Sequence, residues 1–147
     1  MTEALGNITS ANAVAVLVVE DLYPVGIILE NFTTDQAVDG DEHEYAQTRM
    51  GVDGGLAAGF VPSPWNVTIS LEACSPSLKV MQDLAQAMQT NRRTYEVQLI
   101  ITIPSLEQVH TYRKGVLVSG KDMPGLKRTL DPTSWRFTFA KYNQAHI

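Results

Sequence analysis

The sequence predicts a mostly β (α+β) domain, an antiparallel β-sandwich or partly closed β-barrel with one flanking amphipathic helix and an extended β-hairpin. Three observations carry that expectation. Several segments alternate apolar and polar residues with period two, as strands with one buried face do. A single segment repeats apolar residues at helical spacing. An Asp-Gly pair stands between two extended runs, where glycine accepts the positive φ of a tight turn.

The elements follow in chain order. Residues 1–12 are small and polar and read as an N-terminal arm. Residues 13–19 are rich in valine and read as a buried strand. Pro24 interrupts, and residues 25–29 read as a second strand. Residues 31–39 are polar and irregular, and residues 39–44 form an acidic loop holding Asp39, Asp41, Glu42 and Glu44. A hairpin over 45–61 comes next, with Asp53, Gly54 and Gly55 at its turn. Pro62 and Pro64 close it, because proline cannot donate to a sheet ladder. Trp65, Val67, Ile69 and Leu71 then point one way while Asn66, Thr68 and Ser70 point the other.

The helix is predicted over 75–91. Ser75 suits the N-cap and Pro76 the first helical position. Leu78, Met81, Leu84, Ala85 and Met88 form one apolar stripe, opposite Lys79, Gln82, Asp83 and Gln86. Arg92 and Arg93 follow Asn91, favourably placed near the negative end of the helix dipole. Tyr95, Val97, Leu99, Ile101 and Ile103 alternate as a strand. Residues 106–113 and 116–118 read as extended, with Gly115 as a bend or bulge between them. Residues 121–130 form a loop, Trp135, Phe137 and Phe139 a last alternating strand, and 142–147 a tail.

The 147 residues fit one domain, large enough to bury a core without staples. Charged residues make up only 18% of the chain, which suggests that part of the surface is meant for other protein. The net charge of −5 argues against a duplex-binding domain, which carries a basic excess. Arg92-Arg93, Arg113-Lys114 and Lys127-Arg128 read as ordinary solvated or interface charges. One cysteine permits no disulfide framework within the chain. The N-terminal residues lack a basic n-region, so no signal peptide is expected, and the sequons at Asn7, Asn31 and Asn66 read as chance. The longest apolar stretch, 13–19, is far too short to span a bilayer, so no membrane insertion is expected.

No catalytic constellation emerges, and no cofactor or metal is expected. Gly51, Gly54, Gly55 and Gly59 are followed by neither Lys-Ser/Thr nor a helix, so a phosphate loop fails and a turn remains. The acidic loop lacks the spacing of a calcium loop; it reads as solvated, or as a partner for Arg92-Arg93 of a neighbouring copy. Cys74 precedes a helix N-terminus, but nothing brings His43, His110 or His146 to it, and it reads as a small buried core thiol. Aromatics interleaved with Arg136 in 135–139 could form a single-strand-binding face; spacing i, i+2, i+4 more simply makes one core face. A small enzyme or ligand-binding barrel is the alternative from a different class. A chain with a long glycine-containing hairpin and no active site acts by contact.

The middle of the chain resembles a known group. Gln47-Thr-Arg-Met-Gly-Val-Asp-Gly-Gly55 leads to Trp65-Asn-Val-Thr-Ile-Ser-Leu71, then Ser75-Pro-Ser77 opens a helix. Their order is similar to that of tail tube and related tail proteins of long-tailed bacteriophages. There a Gly-x-Asp-Gly turn precedes a Val-Thr-Ile-x-Leu strand and a Ser-Pro-Ser helix start. Ile103-Pro-Ser105, Gly115-Val-Leu117 and Leu130-Asp-Pro before Trp135-Arg-Phe-Thr-Phe139 sit where that group has strands. The likeness spans residues 45–139; the first 40 residues fall outside it.

The resemblance implies a fold shared with the type VI secretion tube, and a non-enzymatic subunit that assembles into stacked hexameric rings in the virion tail. DNA would pass through the central channel without specific binding, which a net negative subunit suits, since like charge avoids phosphate binding. Sheath, terminator and baseplate proteins are the implied partners, and a terminator or baseplate-proximal ring is the alternative role. Residues loosely held by their own domain yet apolar are the expected oligomerisation contacts: Met50, Val52, Leu56, Phe60 and Val61, with Arg92 and Arg93 as charged partners.

Overall fold

The computed structural model describes residues 13–28 and 38–146. The expected arm at 1–12 and most of the irregular stretch at 31–39 lie outside those residues. The strands are β1 (Val14–Val19), β2 (Tyr23–Ile28), β3 (Val38–Gly40), β4 (Ala46–Met50), β5 (Leu56–Phe60) and β6 (Trp65–Leu71). After the helix α1 (Pro76–Asn91) come β7 (Val97–Ile103), β8 (Gln108–Gly120) and β9 (Thr133–His146).

Seven strands make one antiparallel sheet in the order β2-β1-β7-β8-β9-β6-β3, and β4 pairs only with β5. The expectation of a mostly β antiparallel domain with one flanking helix and an extended hairpin holds. The sheet does not close into a barrel, because β2 and β3 end it without pairing to each other.

The core explains the shape of the sheet. Ala15, Leu17 and Val19 of β1, Val67, Ile69 and Leu71 of β6, and Trp135, Phe137 and Phe139 of β9 belong to one buried cluster. Four strand spacings separate β1 from β6, about 19 Å across a flat sheet. Residues that far apart share a core only if the sheet curls, and α1 fills the concavity with buried Leu78, Met81 and Leu84. The helix begins as its sequence dictates: Ser75 Oγ accepts the Ser77 N–H at 3.2 Å and Pro76 occupies the first turn. It ends at Arg92, which takes a left-handed conformation (φ 50°) and donates its N–H to the Met88 carbonyl. Its outer face is already in use within the chain: Gln82 Nε2 donates to the Asp122 carbonyl at 2.7 Å, and the Tyr23 hydroxyl donates to Asp83 at 3.2 Å.

Four expectations need correction. Cys74 is exposed rather than buried; it sits in the turn between β6 and α1, where the chain leaves the sheet. The tail at 142–147 is not a tail, since β9 runs on to His146 and pairs with β8 as far as Gln108↔His146. The extended pieces at 106–113 and 116–118 are one strand, β8, preceded by a short 3-10 turn, Pro104–Leu106. Finally, the acidic loop begins as the edge strand β3, which pairs with β6 as Asp39↔Thr68.

Candidate assembly surface

The hairpin β4–β5 stands apart from the sheet, and residues 46–60 are all exposed. Its turn forms as the Asp-Gly signal predicts. Gly54 has φ +85°, and the Gly54 N–H donates to the Gly51 carbonyl at 3.0 Å. The Gly51 N–H donates to the Gly55 carbonyl at 2.7 Å, and Asp53 Oδ1 accepts the Gly55 N–H at 3.0 Å. Asp53 thereby holds the turn with its own side chain.

The register divides the hairpin into two faces. Ala46↔Phe60, Thr48↔Ala58 and Met50↔Leu56 place six largely apolar side chains on one side. Gln47↔Gly59 and Arg49↔Ala57 leave the other side small and polar. Val52, fully exposed at 110%, caps the turn, and Phe60 is 78% exposed. Isolated exposed apolar residues are ordinary, but a contiguous apolar face on a protruding arm is costly to leave in water. Of the predicted contacts, Met50, Val52, Leu56 and Phe60 lie together on this arm, and half-buried Val61 sits at its base, its N–H bonded to the Tyr45 carbonyl.

That base is held by an aromatic clamp that sequence reading missed. His43 stacks on Trp65 with centroids 3.5 Å apart and planes at 2°, and Tyr45 meets Trp65 edge-on at 5.8 Å. Trp65 in turn contacts Tyr142 at 4.5 Å, Tyr142 contacts Tyr112 at 4.8 Å, and Tyr112 contacts core residue Phe139 at 5.2 Å. A chain of rings thus runs from the hairpin into the core, each pair contributing about 0.5–1.5 kcal/mol beyond area burial. Ser63 Oγ donates to the Glu44 carbonyl at 2.9 Å and lies 3.4 Å from His43 Nε2, tying the two arms at the base. Burial, with the nearby Tyr142 and Tyr45, pushes the Tyr112 hydroxyl up to about 12. Burial also lowers the His110 imidazole below its usual range. Trp65 fell on the expected core face, but only the tertiary pairing of β6 with β9 brings Tyr142 to it.

The predicted basic pair is not beside the hairpin. Arg93 is engaged in its own chain, 2.8 Å from Asp21 and 4.3 Å above the Tyr95 ring, whereas Arg92 is exposed at the end of α1. The acidic loop likewise finds a partner within the chain, since Asp41 pairs with Arg136 at 2.8 Å.

Comparison with known proteins gives this geometry a family. The family model described as tail fiber protein gp32 matches residues 6–143. No curated protein sequence matches significantly. Among solved structures, the cap that terminates the tube of the anti-feeding prophage aligns with TM-score 0.65 at 10% identity, covering 100% of this chain and 96% of that one. A chain of the anti-feeding prophage baseplate aligns with TM-score 0.62 at 9% identity, covering 98% of each. A chain of the sheath–tube complex of the extracellular contractile injection system PVC aligns with TM-score 0.59 at 12% identity, covering 90% of this chain and 88% of that one. The fold is shared with these cap, baseplate and sheath–tube complex chains. The chain belongs to the tail fiber protein gp32 family and is a component of a phage-tail-like assembly.

Proposed function

We propose that the chain forms hexameric rings of a tail tube, or of a tube-like ring next to it, and that the β4–β5 hairpin is the arm by which rings stack. The observation that carries the reading is the protruding hairpin with its apolar face uncovered. An arm held firmly at its base and bare along its length suits burial against another copy. Head-to-tail contacts of that kind generate rings and filaments. The low charged fraction and net charge of −5 suit a subunit that meets mostly protein and lets DNA pass without adhering. A terminator or baseplate-proximal ring is the second reading. It rests on the alignment of the tube-terminating cap and the baseplate chain over 100% and 98% of this chain.

Deleting residues 51–55 removes the turn and tests the arm. The expected product is a soluble, folded monomer that forms no tubes by light scattering and negative-stain microscopy, while the unaltered chain forms rings or tubes. An unfolded deletion variant, or one that polymerises normally, rejects the arm. An unaltered chain that stays monomeric at every concentration rejects the ring.

A further inference from the structure

Besides the outer edges of β2 and β3, an uncovered strand edge lies within the sheet. β8 pairs with β7 only up to Val97↔Gly115, because β7 begins there. Residues 116–120 continue to pair with β9 on one side, through Val116↔Thr138, Leu117↔Phe137 and Gly120↔Trp135. On the other side, no strand among the described residues is paired to them. In place of a strand there is a groove of about 460 Å³ between this edge and the C-terminal half of α1. Met88, Leu117 and Trp135 line it, and Arg92 and Asp122 also border it. Val118, on the edge itself, is 56% exposed.

Resting on the ring-stacking reading, we infer that this groove is the acceptor for the hairpin of a second copy, with β5 adding to the free edge of residues 116–120. The two surfaces match in four respects. Each offers an unpaired strand edge of five residues, since β5 pairs with β4 alone. Such edges associate through main-chain hydrogen bonds, and pockets beside them take alternate side chains. The donor places Leu56, Ala58 and Phe60 on one face, and the acceptor has half-buried Met88 and exposed Val118 beside its edge, above buried Leu117 and Trp135. The donor carries one cation and one anion, Arg49 and Asp53, and the acceptor offers Asp122 and Arg92. Ala57, Ala58 and Gly59 keep the middle of β5 thin, which lets its backbone approach. Donor and acceptor lie on different elements of one chain, so the contact is heterologous and propagates rather than closing as a dimer.

The test uses the full chain with exposed Cys74→Ser as background, carrying Ala58→Cys, Val118→Cys, or both. A short bis-maleimide crosslinker tolerates small errors of register, and the same samples go to negative-stain microscopy. Expected are a crosslinked dimer from the mixture of the two single variants and a ladder of dimers, trimers and higher species from the double variant. Rings or tubes in the micrographs without a dimer from the mixed singles overturn the acceptor assignment and leave the stacking reading intact. Equal dimer yield from Val118→Cys alone shows the edge pairing with itself and overturns it. So does crosslinking of the double variant only within one chain. Absence of any assembly in the background protein rejects both the acceptor and the ring.

Discussion

Substituting Gly115 by Ala should destabilise the subunit by about 1–3 kcal/mol. Gly115 is buried and faces Phe139 across the β8–β9 ladder. A Cβ built there would lie 2.2, 2.5 and 2.8 Å from three atoms of the Phe139 ring, where ordinary contact begins at 3.4 Å. The ring would therefore have to retreat by about 3.4 − 2.2 = 1.2 Å. It has little room, because Phe139 is fully buried, with Tyr112 at 5.2 Å and Phe137 at 6.2 Å. Overpacking of this kind costs about 1–3 kcal/mol, while the lower chain entropy of alanine returns only about 0.4–1. Urea unfolding of Gly115→Ala, Phe139→Ala and the double variant separates the terms. Truncating Phe139 makes room for the new methyl group, so the double variant should lose less than the sum of the singles by at least about 1 kcal/mol. A stabilised Gly115→Ala, or strictly additive losses, would refute the steric argument.

Two further perturbations test the core and the aromatic clamp. Leu84→Ala or Met81→Ala should cost about 2–5 kcal/mol by urea unfolding, since both side chains are fully buried under the sheet; near-zero loss at both would show that the helix stripe is not core. The Tyr112 hydroxyl, pushed up to about 12 chiefly by burial, holds its proton more tightly in the folded chain than in the unfolded one. That contribution is complete below about pH 10 and lost as pH rises through about 12, and is on the order of 1 kcal/mol after solvent screening of a partly exposed ring. Tyr112→Phe should flatten the fall in stability over that window, and an unchanged slope would contradict it.

What the sequence made legible follows from where burial enforces a period. β6, β7 and the first half of β9 each bury one face, so Val67, Ile69, Leu71, Val97, Leu99, Trp135 and Phe137 alternate visibly. The helix is marked by Ser75, Pro76 and an apolar stripe, all local signals. The second half of β9 carries no such pattern: residues 140–146 pair only with β8 and remain largely exposed, so nothing in their composition distinguishes strand from tail. Gly115 was legible as a bend or bulge, and the register of β7 against β8 does shift between Tyr112 and Gly115. The positive φ falls at neighbouring Lys114 (φ 53°), and glycine is needed at 115 because an aromatic ring lies over it. The hairpin was visible as apolar residues around an Asp-Gly turn, whereas its clamp and the open β8 edge depend on which strands meet, which no local pattern records.

The size of the apolar face also bears on how assembly proceeds. Met50, Leu56 and Phe60 are each about two-thirds or more exposed. Burying a large apolar side chain is worth about 1.5–3 kcal/mol, so three such anchors give about 5–9 kcal/mol. Association of two proteins costs about 4–15 kcal/mol in lost freedom and ordering, so one hairpin docked on one neighbour is close to break-even. In the proposed rings, two subunits already joined would present a second arm at high effective concentration, and the next contact would form without repeating that cost. Rings should therefore stack cooperatively, with monomers or single rings giving way to long tubes over a narrow concentration range. Sedimentation velocity across that range is the measurement. A gradual series of dimers, trimers and tetramers, each populated in turn, would mean that a single hairpin contact is strong on its own and that the apolar face buries more than these three side chains.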